Sequence, residues 1–235
     1  MLKNITIAAC IMMIVACGKN KSDQPKQSPD AAIDTVASSP DVKTGSISEI
    51  DSSGVLMIPL TLDSENDRDD KIPGYSSSGG STNYWNIIFY NSRSREQHLL
   101  TDKKVLISEF SDDTRSTDRH LFFSVITDDF NADKVLSNDD PQYLFITDKQ
   151  GNNFMQVSPM GCDVTHWEYI KASNKILMTV IKDTTHDKDF DEKDEVSIFE
   201  YEIDKSATPV EIVSESLKSQ LKSLYNKDWK KVEKQ

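Results

Sequence analysis

The sequence predicts an all-β fold of repeated antiparallel four-stranded units, followed by one C-terminal amphipathic helix. Three observations carry that prediction. Short runs rich in β-branched and aromatic residues recur between turn signals, as strands do. Similar strand, acidic loop, strand segments return along the chain. After residue 213 the apolar spacing changes to a helical period.

The chain opens with Met1-Leu2-Lys3-Asn4, a short positive segment, and then an uncharged, mostly apolar run from Ile5 to Ala16. That run is shorter than the about 20 residues a membrane-spanning helix needs and suits the core of a signal peptide. It ends Ile14-Val15-Ala16-Cys17-Gly18, which resembles the lipobox of bacterial lipoproteins. The resemblance implies a signal peptide over residues 1–16 and cleavage before Cys17, whose thiol carries the lipid. Several acyl chains at about 0.8 kcal/mol per CH₂ make such an anchor stable. Gly18 in place of an aspartate implies the outer membrane, with the periplasmic or surface side left open.

Residues 17–48 are rich in Lys, Ser, Asp, Gln and Pro and poor in large apolar side chains. They cannot bury enough surface to offset their ordering entropy, which predicts a flexible tether. The repeated β domain is then expected over 49–213 and the helix over 214–235. A net charge of −12 and a pI near 4.8 argue against nucleic acid, whose phosphates need a basic surface. Of three cysteines only Cys162 is left to the domain, so no disulfide framework exists, and its neighbours Val164 and Trp167 suggest a small core residue.

Within the domain, the first predicted unit runs Val55 to Asp63, an acidic and Ser/Gly-rich loop, Tyr84 to Tyr90, a turn at Ser92-Arg93-Ser94, and His98 to Leu100. The second unit runs Leu121 to Ile126, an acidic loop, Tyr143 to Thr147, the turn Asp148-Lys149-Gln150-Gly151, and Phe154 to Val157. The third repeats it: Lys175 to Ile181, an acidic loop, Val196 to Tyr201, a turn at Asp204-Lys205-Ser206, and Val210 to Val213. Segments around Val105 and Val164 to Trp167 supply a fourth strand. In the last segment Leu217, Leu221, Leu224, Tyr225, Trp229 and Val232 share one helical face. Ser214 reads as its N-cap and lysines gather at its end. Such a helix is expected to cover the exposed edge or face of an open sheet.

Four short strands per unit resemble the blades of TolB-type propellers, with Tyr143 to Phe154 similar to their strand, Asp-x-x-Gly, strand hairpin. The likeness spans about Val105 to Val213. It implies an incomplete propeller, since at most three units fit here and closed propellers have about four to eight blades.

The two acidic loops resemble the calcium loops of EF-hands and dockerins. In the first, Asp129, Asn131, Asp133, Ser137 and Asp140 fall at positions 1, 3, 5, 9 and 12, and Val135 offers its carbonyl at position 7. In the second, Asp183, Thr185, Asp187, Asp191 and Asp194 repeat the spacing, with Asp189 at position 7. Alternate oxygens in a tight loop can converge on a hard cation that takes six to eight of them. Position 6, usually Gly, is Lys134 and Lys188, and position 12 is Asp rather than Glu. The second loop packs six carboxylates against two lysines within 12 residues, a repulsion that Ca²⁺ relieves. The upstream loop has Asp63, Glu65, Asp67 and Asp69 but no twelfth ligand.

No nucleophile elbow, phosphate loop or zinc helix motif is present. His98, His120, His166 and His186 are scattered. The sequence therefore points to a calcium-stabilised binding or assembly module on a lipid tether, facing an envelope protein or glycan through aromatics such as Tyr84, Trp85 and Tyr90. The alternative is a propeller-type hydrolase or lyase relative acting on envelope or extracellular polymers, which requires His98, His120 and His166 to converge.

Overall fold

The computed structural model describes residues 42–61, 83–111, 119–205 and 208–229. The N-terminal motif with Cys17 and the acidic segment from Asp63 to Asp69 lie outside them.

The described chain is antiparallel β with one helix. Strands β1 (Ser48–Ile50), β2 (Val55–Thr61), β3 (Tyr84–Asn91) and β4 (Gln97–Leu99) pair in sequence order as a meander. So do β5 (Leu106–Phe110), β6 (His120–Ile126), β7 (Tyr143–Asp148) and β8 (Met155–Gln156). A third meander holds β9 (Cys162–Ile170), β10 (Lys175–Lys182), β11 (Glu195–Glu202) and β12 (Val210–Glu211). A single residue pair, Tyr84 with Ile107, joins the first two meanders into one eight-stranded sheet, while the third is a separate four-stranded sheet. Among the described residues neither sheet closes on itself.

Backbone pairing begins ahead of Glu49: Gly45 donates to Pro59 O and Thr61 to Lys43 O, each at about 3 Å, and Thr44 bridges Leu60. The segment expected as tether thus contributes its last few residues to the edge of β2.

Period-two alternation sorts the middle meander's side chains onto two faces. Leu121, Phe123, Val125, Tyr143 and Phe145 join Met57, Ile87 and Phe89 of the first meander in one core. Phe122, Leu144 and Ile146 face the other way, onto Ile176, Met178 and Val180 of β10. Phe122 also meets Trp167 at a ring-centroid distance of 4.7 Å. Cys162 is buried in this second core, as its sequence neighbours suggested, and burial raises its thiol pKa. All of the core lies between Ile50 and Ile203.

The Asp148 to Gly151 turn fastens the first two meanders together. Asp148 Oδ1 accepts from the amides of Gln150 and Asn152, and Lys149 pairs with Asp51 of the first meander at 2.7 Å. Gly151 has φ +81°, and a Cβ there would stand 2.4 Å from the Phe89 ring.

Helix α1 (Glu215–Asp228) forms as expected, with the Ser214 side chain accepting from Leu217 N as N-cap. Its predicted role fails. No residue of α1 is buried, and Leu217, Leu221, Leu224 and Tyr225 are 44–61% exposed. The helix is held instead by charge: Lys218 reaches Glu195, Glu211 and Glu215 at 2.5–2.9 Å. No helix among the described residues is long and apolar enough to cross a membrane.

Gly151→Ala should therefore cost about 2–5 kcal/mol, since overpacking adds about 1–3 and a left-handed Cβ about 1–2. Gly161→Ala, also left-handed but with nothing within 4 Å of the new Cβ, should cost only the backbone part, about 1–2 kcal/mol. Urea unfolding of the two variants checks the difference; equal losses would contradict the packing argument.

Candidate metal centre

The two acidic loops join the second and third strands of their meanders, β6 to β7 and β10 to β11. The segment from residue 62 to 82 occupies the same connection in the first meander. The loops match at position 12 and differ by one amide at position 1. At position 12, Asp140 Oδ1 accepts from the amides of Phe130 and Asn131, and Oδ2 from Ser137 N. Asp194 does the same with Thr184, Thr185 and Asp191. At position 1, Asp129 accepts from Asp133 N and Lys134 N, and Asp183 from His186 N and Lys188 N.

Backbone handedness matches as well. Positions 4 and 6 are left-handed in both loops: Ala132 and Lys134 at φ 65° and 75°, His186 and Lys188 at 62° and 68°. The turn that usually calls for glycine is thus made by lysine, at a cost the position-1 carboxylates offset through their amide bonds. Side chains also seat the loops. Leu136 packs with Leu106 and Ile126, and Phe130 meets Phe190 across the two loops at 5.1 Å between centroids.

Only the second loop brings carboxylates together. Ligand oxygens of Asp183, Asp187 and Asp194 lie within 4.8 Å of one another, an arrangement that can hold a metal ion. It is the single such group of carboxylate, histidine or cysteine side chains among the described residues. Asp129, Asp133 and Asp140 do not close to that distance, although the first loop has the better sequence match at position 3. Asp191, expected at position 9, turns to Lys193 instead at 2.5 Å, which lowers its pKa. Asn131 Oδ1 and Asp133 Oδ1 accept amides within their own loop, from Asp133 and Val135. Ser137 Oγ accepts from Asp139 N. Thr185 adds its amide to Asp194, and Val135 and Asp189 lie at position 7 of their loops.

Burial of Asp194 would raise its pKa, but its bonds from the Thr185, Thr184 and Asp191 amides and the Thr184 hydroxyl outweigh that and leave it lowered. The carboxylate is therefore held ionised and aimed, with Oδ1 fully engaged and one lone pair of Oδ2 left for a cation.

The histidines do not converge. His98 stacks on Phe89, His120 lies on β6 with its pKa lowered chiefly by burial, and His166 is exposed on β9. The groove beside Phe122 and Trp167 encloses essentially no free volume, against the roughly 300 Å³ at which small-molecule sites begin. Tyr84, Trp85 and Tyr90 are half-buried, and Tyr84 packs on Phe110 at 5.4 Å. No protein-family model matches the sequence, and no curated protein matches it.

Because the folded pKa of Asp194 lies below its unfolded value, its contribution to stability is complete above about pH 4 and is lost as pH falls. Asp194→Asn should flatten the acid limb of a melting-temperature profile below that pH. An unchanged limb would show that the carboxylate is not what holds the loop.

Proposed function

We propose that this chain is a cell-envelope lipoprotein whose β domain is stabilised by Ca²⁺ and serves as a binding or assembly module. The observation that carries the ion is the convergence of Asp183, Asp187 and Asp194, at positions 1, 5 and 12 of a loop with calcium-loop spacing. Three carboxylates within reach of one another repel, and a hard divalent cation with oxygen ligands turns that cost into a gain. Asp189 offers its position-7 carbonyl, and water completes the shell. Calcium fits better than Mg²⁺ because a flexible loop with unequal ligands does not supply an octahedron.

The first loop shares the fold of the second, and Asp129, Asn131, Asp133, Val135, Ser137 and Asp140 are its ligand set in this proposal, drawn in by the ion. The matching loops support reading the second and third meanders as copies of one blade-like unit. The first meander is then a third copy, and the whole an incomplete propeller. The Ile14 to Cys17 motif supports a lipid on Cys17 and residence at the envelope, with the outer membrane favoured by Gly18. A partner protein or glycan of the envelope is the fitting ligand class for a domain whose exposed surface is broad and whose groove is small.

Two measurements test this. After chelator treatment, the melting temperature should rise with calcium and far less with equal magnesium. Calcium at 100 times its dissociation constant adds about 2.7 kcal/mol. Asp183→Ala and Asp187→Ala should each abolish most of the rise; no rise at millimolar calcium would end the metal reading. Separately, cells fed labelled palmitate should acylate the protein, and Cys17→Ser should not be labelled. Equal labelling of both would remove the anchor.

A further inference from the structure

Helix α1 is tied to the sheets by one side chain. Of its 14 residues only Lys218 is not exposed. Its Nζ lies 2.5 Å from Glu195 of β11, 2.6 Å from Glu211 of β12 and 2.9 Å from Glu215 of the helix itself. Lys182 of β10 completes the group, 2.8 Å from Glu211 and 3.7 Å from Glu195. Among the described residues no other side chain of α1 bonds to or pairs with another element.

Little else keeps this segment helical. Its apolar side chains bury no face, so the packing that supplies most helix stability in proteins is missing. Composition does not replace it, because α1 holds three serines, an asparagine and no alanine. Isolated helices shorter than about 12–15 residues are marginal in water even when rich in alanine. Two local devices remain. Ser214 caps the first turn, and the amide of Lys218 donates to Ser214 O, the first bond of the helical ladder. The residue that closes the first turn is thus the residue whose ammonium is clasped by two strands.

We propose that α1 is a conditionally folded C-terminal arm, helical and seated on the third meander only while Glu195 and Glu211 clasp Lys218, and released as coil by ionic strength. The described core ends at Ile203, so release exposes no core side chain and is a local opening beneath the global transition. Ion pairs at such exposed positions are individually weak and are screened by salt, which is the property a releasable clasp requires.

The test uses the chain from Asp41 to Gln235, which forms one compact unit and contains the whole described core. Since α1 is the single α-helix among the described residues, the helix band of circular dichroism reports on it. That band should weaken as sodium chloride rises from about 0.1 to about 1 M, which shortens the screening length from about 10 to about 3 Å. Amide exchange over α1 should speed up by about tenfold across that range while exchange in β6 and β7 stays unchanged. Lys218→Met, which removes the charge and keeps an unbranched stem, should give the high-salt signal at every salt concentration. Lys218→Arg should behave like the parent, and so should Lys222→Met, which removes an exposed helix lysine with no ion pair. The urea midpoint of the β domain should be the same in all four chains. A parent helix band unmoved by salt, or a Lys218→Met chain as helical as the parent, overturns the proposal. So does a urea midpoint that falls together with the helix, which would make α1 part of the cooperative core.

Discussion

The structure depends on the middle meander being buried on both faces. Phe122 and Phe123 are adjacent in sequence, point in opposite directions, and are 0% and 1% exposed. One belongs to the core shared with the first meander and the other to the core shared with the third. Each buried phenylalanine contributes about 1.5–3 kcal/mol, so the meanders are stable as a stack rather than singly. The sequence of β6 and β7 shows it: both are nearly continuous apolar runs, as doubly buried strands require. In β10, by contrast, Ile176, Met178 and Val180 are buried while Lys175, Leu177 and Thr179 between them are not. An outer layer has one dry face and alternates.

That difference also explains what could be read from the sequence. Strand positions came from local patterning, and β2, β3, β6, β7, β10 and β11 fall within two residues of their expected ends. The cap at Ser214 and the turn at Asp148 to Gly151 were legible because their chemistry is local. The pairing of Tyr84 with Ile107, which fuses two meanders, was not, because no local signal encodes which strand edges meet. The position of α1 was misjudged for the same reason. Its stripe has helical period whether or not a sheet lies beneath it, and of the deciding contacts of Lys218 the one with Glu195 spans 23 residues of chain. Glu211 is held near a pKa of about 2 by Lys182 and then Lys218, an electrostatic fastening invisible in a residue-by-residue reading.

In the loops the spacing of carboxylates was legible and their aim was not. Loop geometry is set by which oxygens take which amides. Each carboxylate at positions 1 and 12 accepts backbone hydrogen bonds, and these carry the chain through two left-handed residues per loop with no glycine. At roughly 1–2 kcal/mol for each non-glycine residue so placed, the strain is substantial, and the side chains that offset it are those an ion would use. Asp191 departs from the expected pattern because Lys193, two residues on, offers a nearer opposite charge than any shared cation site.

The contact between Phe130 and Phe190 carries this one step further. It sets two acidic loops from different meanders side by side, so charge gathered on one is felt by the other. This half-buried aromatic pair contributes about 0.5–1.5 kcal/mol beyond its burial, comparable with the repulsion of about 1 kcal/mol between two solvated carboxylates about 4 Å apart. Neither term dominates. The loops are therefore balanced between an apolar contact that draws them together and like charges that push them apart. A cation that neutralised one loop would therefore tip that balance for both.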